Sequence, residues 1–192
     1  MLTGMPTDAL VDRIAAEVMR REPVDGIRIV GIDGPSGAGK SVLAGQVAAR
    51  LDAPVIEIDD FVSWADFAGW WPRFEAQVLG PLLAGRDARY QVRDWADWYG
   101  SSLADWRTQR WAPIVVLEGV TCTRRATVGR LCYAVWVEAP AELRLARGLA
   151  RDSAFADADR LWRRWMREEE SFFRADGTRD RADLIVDTGA GE

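Results

Sequence analysis

Histidine is absent from this chain of 192 residues, which removes the side chain most often used to move protons near neutral pH. Any acid–base chemistry then falls to carboxylates. Cysteine is scarce: Cys122 and Cys132 are spaced for neither a redox pair nor a zinc site, which predicts reduced core residues in a cytoplasmic protein. Positive charge is not in excess either. With a net charge of −5, no nucleic-acid partner is expected, because phosphate backbones are held by clustered lysine and arginine. No stretch approaches the roughly 18 apolar residues that a membrane span needs, so no membrane partner is expected. Residues 7–21 place Asp8, Asp12, Arg13, Glu17, Arg20 and Arg21 among their apolar positions, which a secretory leader does not tolerate. Leu10, Ile14 and Val18 instead recur at helical spacing behind Thr7, a candidate N-cap. Repeats, low-complexity tracts and linkers are also missing.

What is present is 48% hydrophobic, enough for one good core, and residues 1–192 read as a single α/β domain. Five short apolar runs rich in β-branched residues, 27–33, 54–60, 113–119, 134–139 and 184–188, predict buried strands. Continuous apolar runs suit a parallel sheet covered on both faces. Helical patterns at 40–51, 141–151 and 157–173 fall between them, which implies right-handed βαβ units and a three-layer, doubly wound parallel sheet of about five strands. Residues 61–112 form a long insert with no evident strand. Helices are expected there at 74–83 and 103–111. The insert holds Trp64, Trp70, Trp71, Trp95, Trp98, Trp106 and Trp111, which are read as a small core of their own ahead of a stacking surface.

Between the first strand pattern and the first internal helix stand Gly34, Pro35, Ser36, Gly37, Ala38, Gly39, Lys40 and Ser41, followed by Val42. This is the spacing of a phosphate-binding loop in its required setting. Glycines let successive backbone N–H groups turn onto a polyphosphate, Lys40 reaches the outer phosphates, Ser41 ligates Mg²⁺, and the helix points its positive end at the anion. The ligand class is therefore a nucleotide.

At the end of the second strand pattern lie Asp59, Asp60 and Phe61. Transfer of a phosphoryl group to a hydroxyl needs a carboxylate that orients the acceptor and takes its proton. Asp59 is placed ahead of Asp60 for that role, Asp60 being read as a metal-side acid, and the choice between them stays open. Glu118, at the exit of the third strand pattern, is placed at the metal and its waters, and Gly119 is expected to let the chain pass close to the nucleotide. Arg144, Arg147 and Arg151 fall at helical intervals on one face. Guanidinium groups there suit the charge that builds during transfer, with Arg147 preferred. The cluster Arg160, Arg163, Arg164, Arg167, Glu168, Glu169 and Glu170 reads as a solvated helix face with internal ion pairs.

These residues resemble the uridine kinase family of P-loop phosphotransferases. The likeness runs from Ile27 to Thr188 through GIDGPSGAGKS at residues 31–41, IDDF at 58–61, LEGV at 117–120, RLARGLARD at 144–152 and ADLIVD at 182–187. The resemblance implies ATP or GTP as donor, Mg²⁺ as cofactor, a nucleoside such as uridine or cytidine as acceptor, and Asp59 as the base. It also implies a lid at 144–165 whose Arg144 and Arg147 embrace the phosphates, and an acceptor site within 61–112 that uses Phe61, Asp94 and Trp98 beside Asp59. Val62 and Trp98 stand where that family has a tyrosine and a histidine. Kinases of pantothenate, sugars, antibiotics or nucleoside monophosphates remain alternatives, as does a nucleotide-binding regulator without turnover. A GTPase-like switch is disfavoured by the lack of an Asn-Lys-x-Asp segment. A homo-oligomer is compatible with all of these.

Overall fold

The computed structural model describes residues 2–3, 8–99 and 102–189; Thr7, the expected N-cap, lies outside them. The five apolar runs become β2 (Arg28–Asp33), β3 (Val55–Glu57), β6 (Ile114–Glu118), β7 (Tyr133–Glu138) and β8 (Leu184–Asp187). A two-residue strand, β1 (Leu2–Thr3), adds to the edge beside β8. The sheet order is β1-β8-β7-β2-β6-β3 and every pairing in it is parallel.

Alternation along β2 divides its side chains between two cores. Val30 and Ile32 join Leu10, Ile14 and Val18 of α1 (Asp8–Arg20) and Leu43 and Val47 of α2 (Lys40–Leu51). Ile29 faces the other way, with Val115 and Leu117 of β6, onto the insert and onto α5 (Ala158–Asp176). The helix α4 (Ala141–Arg151) precedes α5, and the two lie close because residue 148 is glycine. A Cβ there would meet the Trp162 ring at 2.4 Å. Three layers result, as the run pattern predicts.

The insert holds the helix expected at 74–83 but departs from expectation beyond it. Residues 71–83 form α3 in three stretches, Trp71–Phe74, Glu75–Leu79 and Gly80–Leu83, the middle one wound as a π-helix. Pro81 has no N–H for the ordinary ladder, and the turns ahead of it widen. The helix expected at 103–111 is instead β5 (Leu103–Gln109), paired antiparallel with β4 (Ala88–Arg93) in a separate two-stranded ribbon. Period two decides the first strand, since Ala88 and Tyr90 are buried. The second strand is mostly exposed, so no apolar face declares it in sequence.

Candidate active site

The phosphate-loop sequence sits between β2 and α2 at the carboxyl end of the central strand, where ligands of doubly wound sheets bind. Its glycines are required by contact as well as by torsion. At Gly34 (φ 139°) a Cβ would fall 2.0 Å from the Val137 carbonyl oxygen, and at Gly37 (φ 77°) 2.5 Å from that of Arg144. The loop therefore wedges against β7 and α4 without side chains in the way. Asp33, wholly buried, accepts from Gly34 N–H at 2.6 Å, Thr121 N–H at 2.7 Å, Thr123 N–H at 2.7 Å and the Thr123 hydroxyl at 2.9 Å. Burial raises its pKa and these donors oppose the rise. The carboxylate ties the start of the phosphate loop to the turn after β6.

Above the loop opens a cleft of about 380 Å³. Lys40, the chain's only lysine, lines it, and its Nζ donates to the Pro35 carbonyl at 3.2 Å. Gly37, Gly39, Ser41 and Val42 line the same space, as do Asp59, Glu118, Arg147 and Arg151. Glu118 is 6% exposed. Burial pushes its carboxyl up to about 7, with Asp59 and Glu57 adding to the rise and Lys40 and the Ser41 hydroxyl opposing it. Arg147 donates to the Gly37 carbonyl at 3.3 Å and to the Thr188 hydroxyl at 3.5 Å. Burial works against the charge of Arg151, but Asp152 beside it, with Asp59 and Glu118 beyond, raises its pKa overall.

Several expected members lie elsewhere. Residues Ile58–Asp60 form a 3₁₀ turn, which sends successive side chains apart by about a third of a turn. Asp59 faces the cleft, whereas Asp60 turns under the ribbon and pairs with Arg107 at 2.6 Å. Burial raises the Asp60 pKa against the pull of that arginine. A metal role for Asp60 is not what this placement supports. Phe61 is core, 5.2 Å edge-on from Phe74 and 5.1 Å from Tyr90 between ring centroids, with the Arg73 guanidinium 4.4 Å over its face. Asp94 accepts from Ala96 N–H at 2.9 Å, fixing a turn. Trp98 stacks on Phe155 at 3.8 Å with ring planes 2° apart. None of Phe61, Asp94 and Trp98 lines the cleft; Val62, Trp64, Trp95, Val120, Trp162 and Trp165 do. Gly119 serves the fold: a Cβ there would meet Ile58 Cβ at 2.6 Å, so its close neighbour is protein.

Arg144 lies behind the loop, donating to the carbonyls of Ala139 at 3.2 Å and Ser36 at 3.3 Å. It meets there a residue that the charge pattern assigned to solvent. Glu169 is 1% exposed and accepts from Ser36 N–H at 2.8 Å, Trp165 Nε1 at 2.8 Å and Arg144 Nη1 at 3.3 Å. Trp165 Nε1 also lies 3.0 Å from the Ser36 hydroxyl. The Ser36 peptide is thus held at its N–H, its carbonyl and its side chain by α4 and α5. The signal was present in sequence, since Glu169 continues the apolar stripe Leu161, Trp165 at a spacing of four. Asp33 offered a similar one, an acid closing a buried strand immediately before glycine.

No protein-family model matches the chain, and no curated protein is similar to it. Solved structures are. One described as a candidate fructose transport system kinase from a Silicibacter species superposes with a TM-score of 0.70 at 22% identity, covering 95% of this chain and 99% of that one. A possible uridine kinase from Bacillus stearothermophilus gives 0.65 at 19% identity, covering 92% and 97%. D-glycerate 3-kinase from Cryptococcus neoformans gives 0.53 at 14% identity, covering 96% and 94%. The chain has the α/β fold of P-loop kinases.

Proposed function

We propose that the protein is a magnesium-dependent kinase that moves the γ-phosphoryl group of ATP or GTP to a hydroxyl of a small molecule. The observation that carries this reading is convergence: Lys40, Ser41, Asp59, Glu118, Arg147 and Arg151 line one cleft above the start of α2. A bare nucleotide-binding module has no need of a carboxylate at the acceptor side of its phosphates.

The donor set fits the metal. The Ser41 hydroxyl and Glu118 carboxylate are hard oxygen ligands, and the raised pKa of Glu118 reflects buried negative charge that a divalent cation would relieve. Among the described residues no three acids, cysteines or histidines gather to hold an ion unaided, as suits Mg²⁺ bound by one or two protein groups with phosphate and water. Ser41 and Glu118 would hold it, and it would draw charge from the phosphate oxygens as the transferred group departs.

The chain's own residues account for the rest. The turned amides of the loop and Lys40 hold the donor's outer phosphates, while Arg147 and Arg151 approach from α4 to face the charge developing on the leaving oxygen. Asp59 orients the acceptor hydroxyl and takes its proton as that oxygen attacks the γ-phosphorus and the bond to the nucleoside diphosphate breaks.

The sequence resemblance puts uridine or cytidine first among acceptors. A nucleoside monophosphate is disfavoured because no arginine of the insert lines the cleft, and three of them are engaged elsewhere: Arg73 with the Gln91 carbonyl, Arg107 with Asp60, Arg89 over Trp106. No described helix is long and apolar enough to cross a membrane, and both cysteines are free thiols in the core, which supports a cytoplasmic setting. The test is release of ADP from Mg·ATP across a panel of alcohols, with Asp59→Asn as control. Nucleotide binding without transfer to any acceptor would favour the regulator.

A further inference from the structure

We infer that the acceptor is a neutral alcohol carried on a flat apolar ring system, with no anionic group and no second hydroxyl to satisfy. The inference rests on the kinase reading and narrows its acceptor. It departs from the nucleoside that the sequence resemblance implies.

The wall of the cleft beyond the phosphate machinery is formed by Val62, Trp64, Trp95, Val120 and Trp162. Every charged or hydroxyl-bearing side chain in the lining belongs to the phosphate loop and its flank, to Asp59 and Glu118, to the arginines of α4, or to Thr188. Thr188 already donates to the Ala38 carbonyl at 2.7 Å. The chain has no asparagine, and no glutamine or tyrosine reaches the lining. No arginine of the insert lines the cleft, and Asp94 is spent on its own turn. Asp59 is the side chain left to meet an acceptor hydroxyl, since the one unpartnered indole N–H of the wall, Trp64 Nε1, is itself buried; Trp95 fixes the Asp59 backbone by donating from Nε1 to its carbonyl at 3.2 Å.

A sugar, a glycerate or the ribose of a nucleoside brings several hydroxyls, each of which gives up water on entry. Against tryptophan and valine they find no partners, and each such loss costs roughly tenfold in selectivity. A flat ring loses nothing there and gains the faces of the tryptophans. The atoms balance as for any phosphoryl transfer: the alcohol oxygen bonds to the γ-phosphorus, the bridging bond to ADP breaks with its electron pair on ADP, and the alcohol proton passes to Asp59.

The experiment uses the full chain with Mg·ATP, comparing tryptophol and 2-phenylethanol with uridine, D-ribose, glycerol and glycerol 3-phosphate by ADP release. In parallel, calorimetry measures binding of each alcohol to protein loaded with a non-hydrolysable ATP analogue. The expected result is a kcat/KM for the aryl alcohols at least tenfold above the others and the same order in binding. Trp95→Ala, at a position 38% exposed, and the near-isosteric Val62→Thr should each shrink that preference. A preference for uridine, ribose, glycerol or glycerol 3-phosphate would overturn the inference and leave the kinase standing. So would aryl alcohols that fail to bind the loaded protein, or a preference untouched by both substitutions. Failure of the kinase reading is separate: no thermal stabilisation by Mg·ATP and no ADP release with any alcohol.

Discussion

The two sides of the cleft are built on opposite plans. On the donor side, loop, helix and acids leave β2, β3 and β6, and their positions follow from a rigid parallel sheet. Contacts that no Cβ could share fix the loop at Gly34 and Gly37, and the clamp holds Ser36 at its N–H, its carbonyl and its hydroxyl. On the acceptor side the wall comes from an insert whose two-stranded ribbon stands outside the main sheet and whose polar side chains mostly serve the insert itself. Asp60 pairs with Arg107, Arg73 bonds backbone carbonyls, and Asp94 closes a turn. On the donor side Lys40, Glu118, Arg147 and Arg151 open onto the cleft, whereas charge on the acceptor side is spent on structure. Adjacent residues Asp59 and Asp60 mark the border, one on each plan.

The sharpest way to break that comparison is to remove the charge of Asp59. Asp59→Asn should lower turnover by about 10²- to 10⁴-fold while Mg·ATP binding is retained, measured by steady-state ADP release beside calorimetric binding. A mutant of near-normal rate would end the assignment.

Next in size is the clamp. Glu169→Ala leaves the Ser36 N–H and the Arg144 guanidinium without their buried partner and should cost about 3–5 kcal/mol in urea unfolding, with a raised KM for ATP. Glu169→Gln keeps an acceptor for the Ser36 N–H and should recover most of the KM. Equal KM values in both variants would reduce the clamp to packing alone.

Smaller again is the pH effect of Glu118. A carboxyl whose pKa rises from 4.5 to about 7 on folding binds more protons in the native state than in the unfolded one. Its contribution therefore lowers stability as pH rises through that window, until both states are ionised. Melting of the metal-free protein should show this fall, Glu118→Gln should flatten it, and Mg²⁺ with nucleotide should oppose it.

The smallest effect is expected at Asp60. Asp60→Asn removes one partly exposed ion pair, should cost about 1 kcal/mol or less, and should leave turnover within about threefold. A loss as large as that of Asp59→Asn would put Asp60 back at the chemistry.

The same division explains how much was legible in the sequence. Strands with two covered faces must be continuously apolar, so β2, β6, β7 and β8 declared themselves, and a loop that admits phosphate must carry glycine at fixed places. That Lys40, Ser41, Asp59, Glu118 and Arg147 would meet in one place was readable because they stand at the start of α2, just past β3, at the end of β6 and on the face of α4 that the 144, 147, 151 spacing marks. The insert gave no such constraint. The outer strand of its ribbon is largely solvated, so its pattern passed for a helix, and the 3₁₀ turn that parts Asp59 from Asp60 leaves no mark in composition. Glu169 was misread because a carboxylate in a run of charges belongs to solvent unless its partners are known, and these lie in the phosphate loop, more than a hundred residues away in the chain.

The account turns on whether the loop at residues 34–41 holds a nucleotide's outer phosphates. Calorimetric titration of Mg·ATP into the wild-type chain and into Lys40→Ala tests this most directly. Saturable binding by the wild type, weakened at least about tenfold by loss of the lysine charge, is the predicted result. Undiminished binding by Lys40→Ala, or no binding by the wild type, would contradict it.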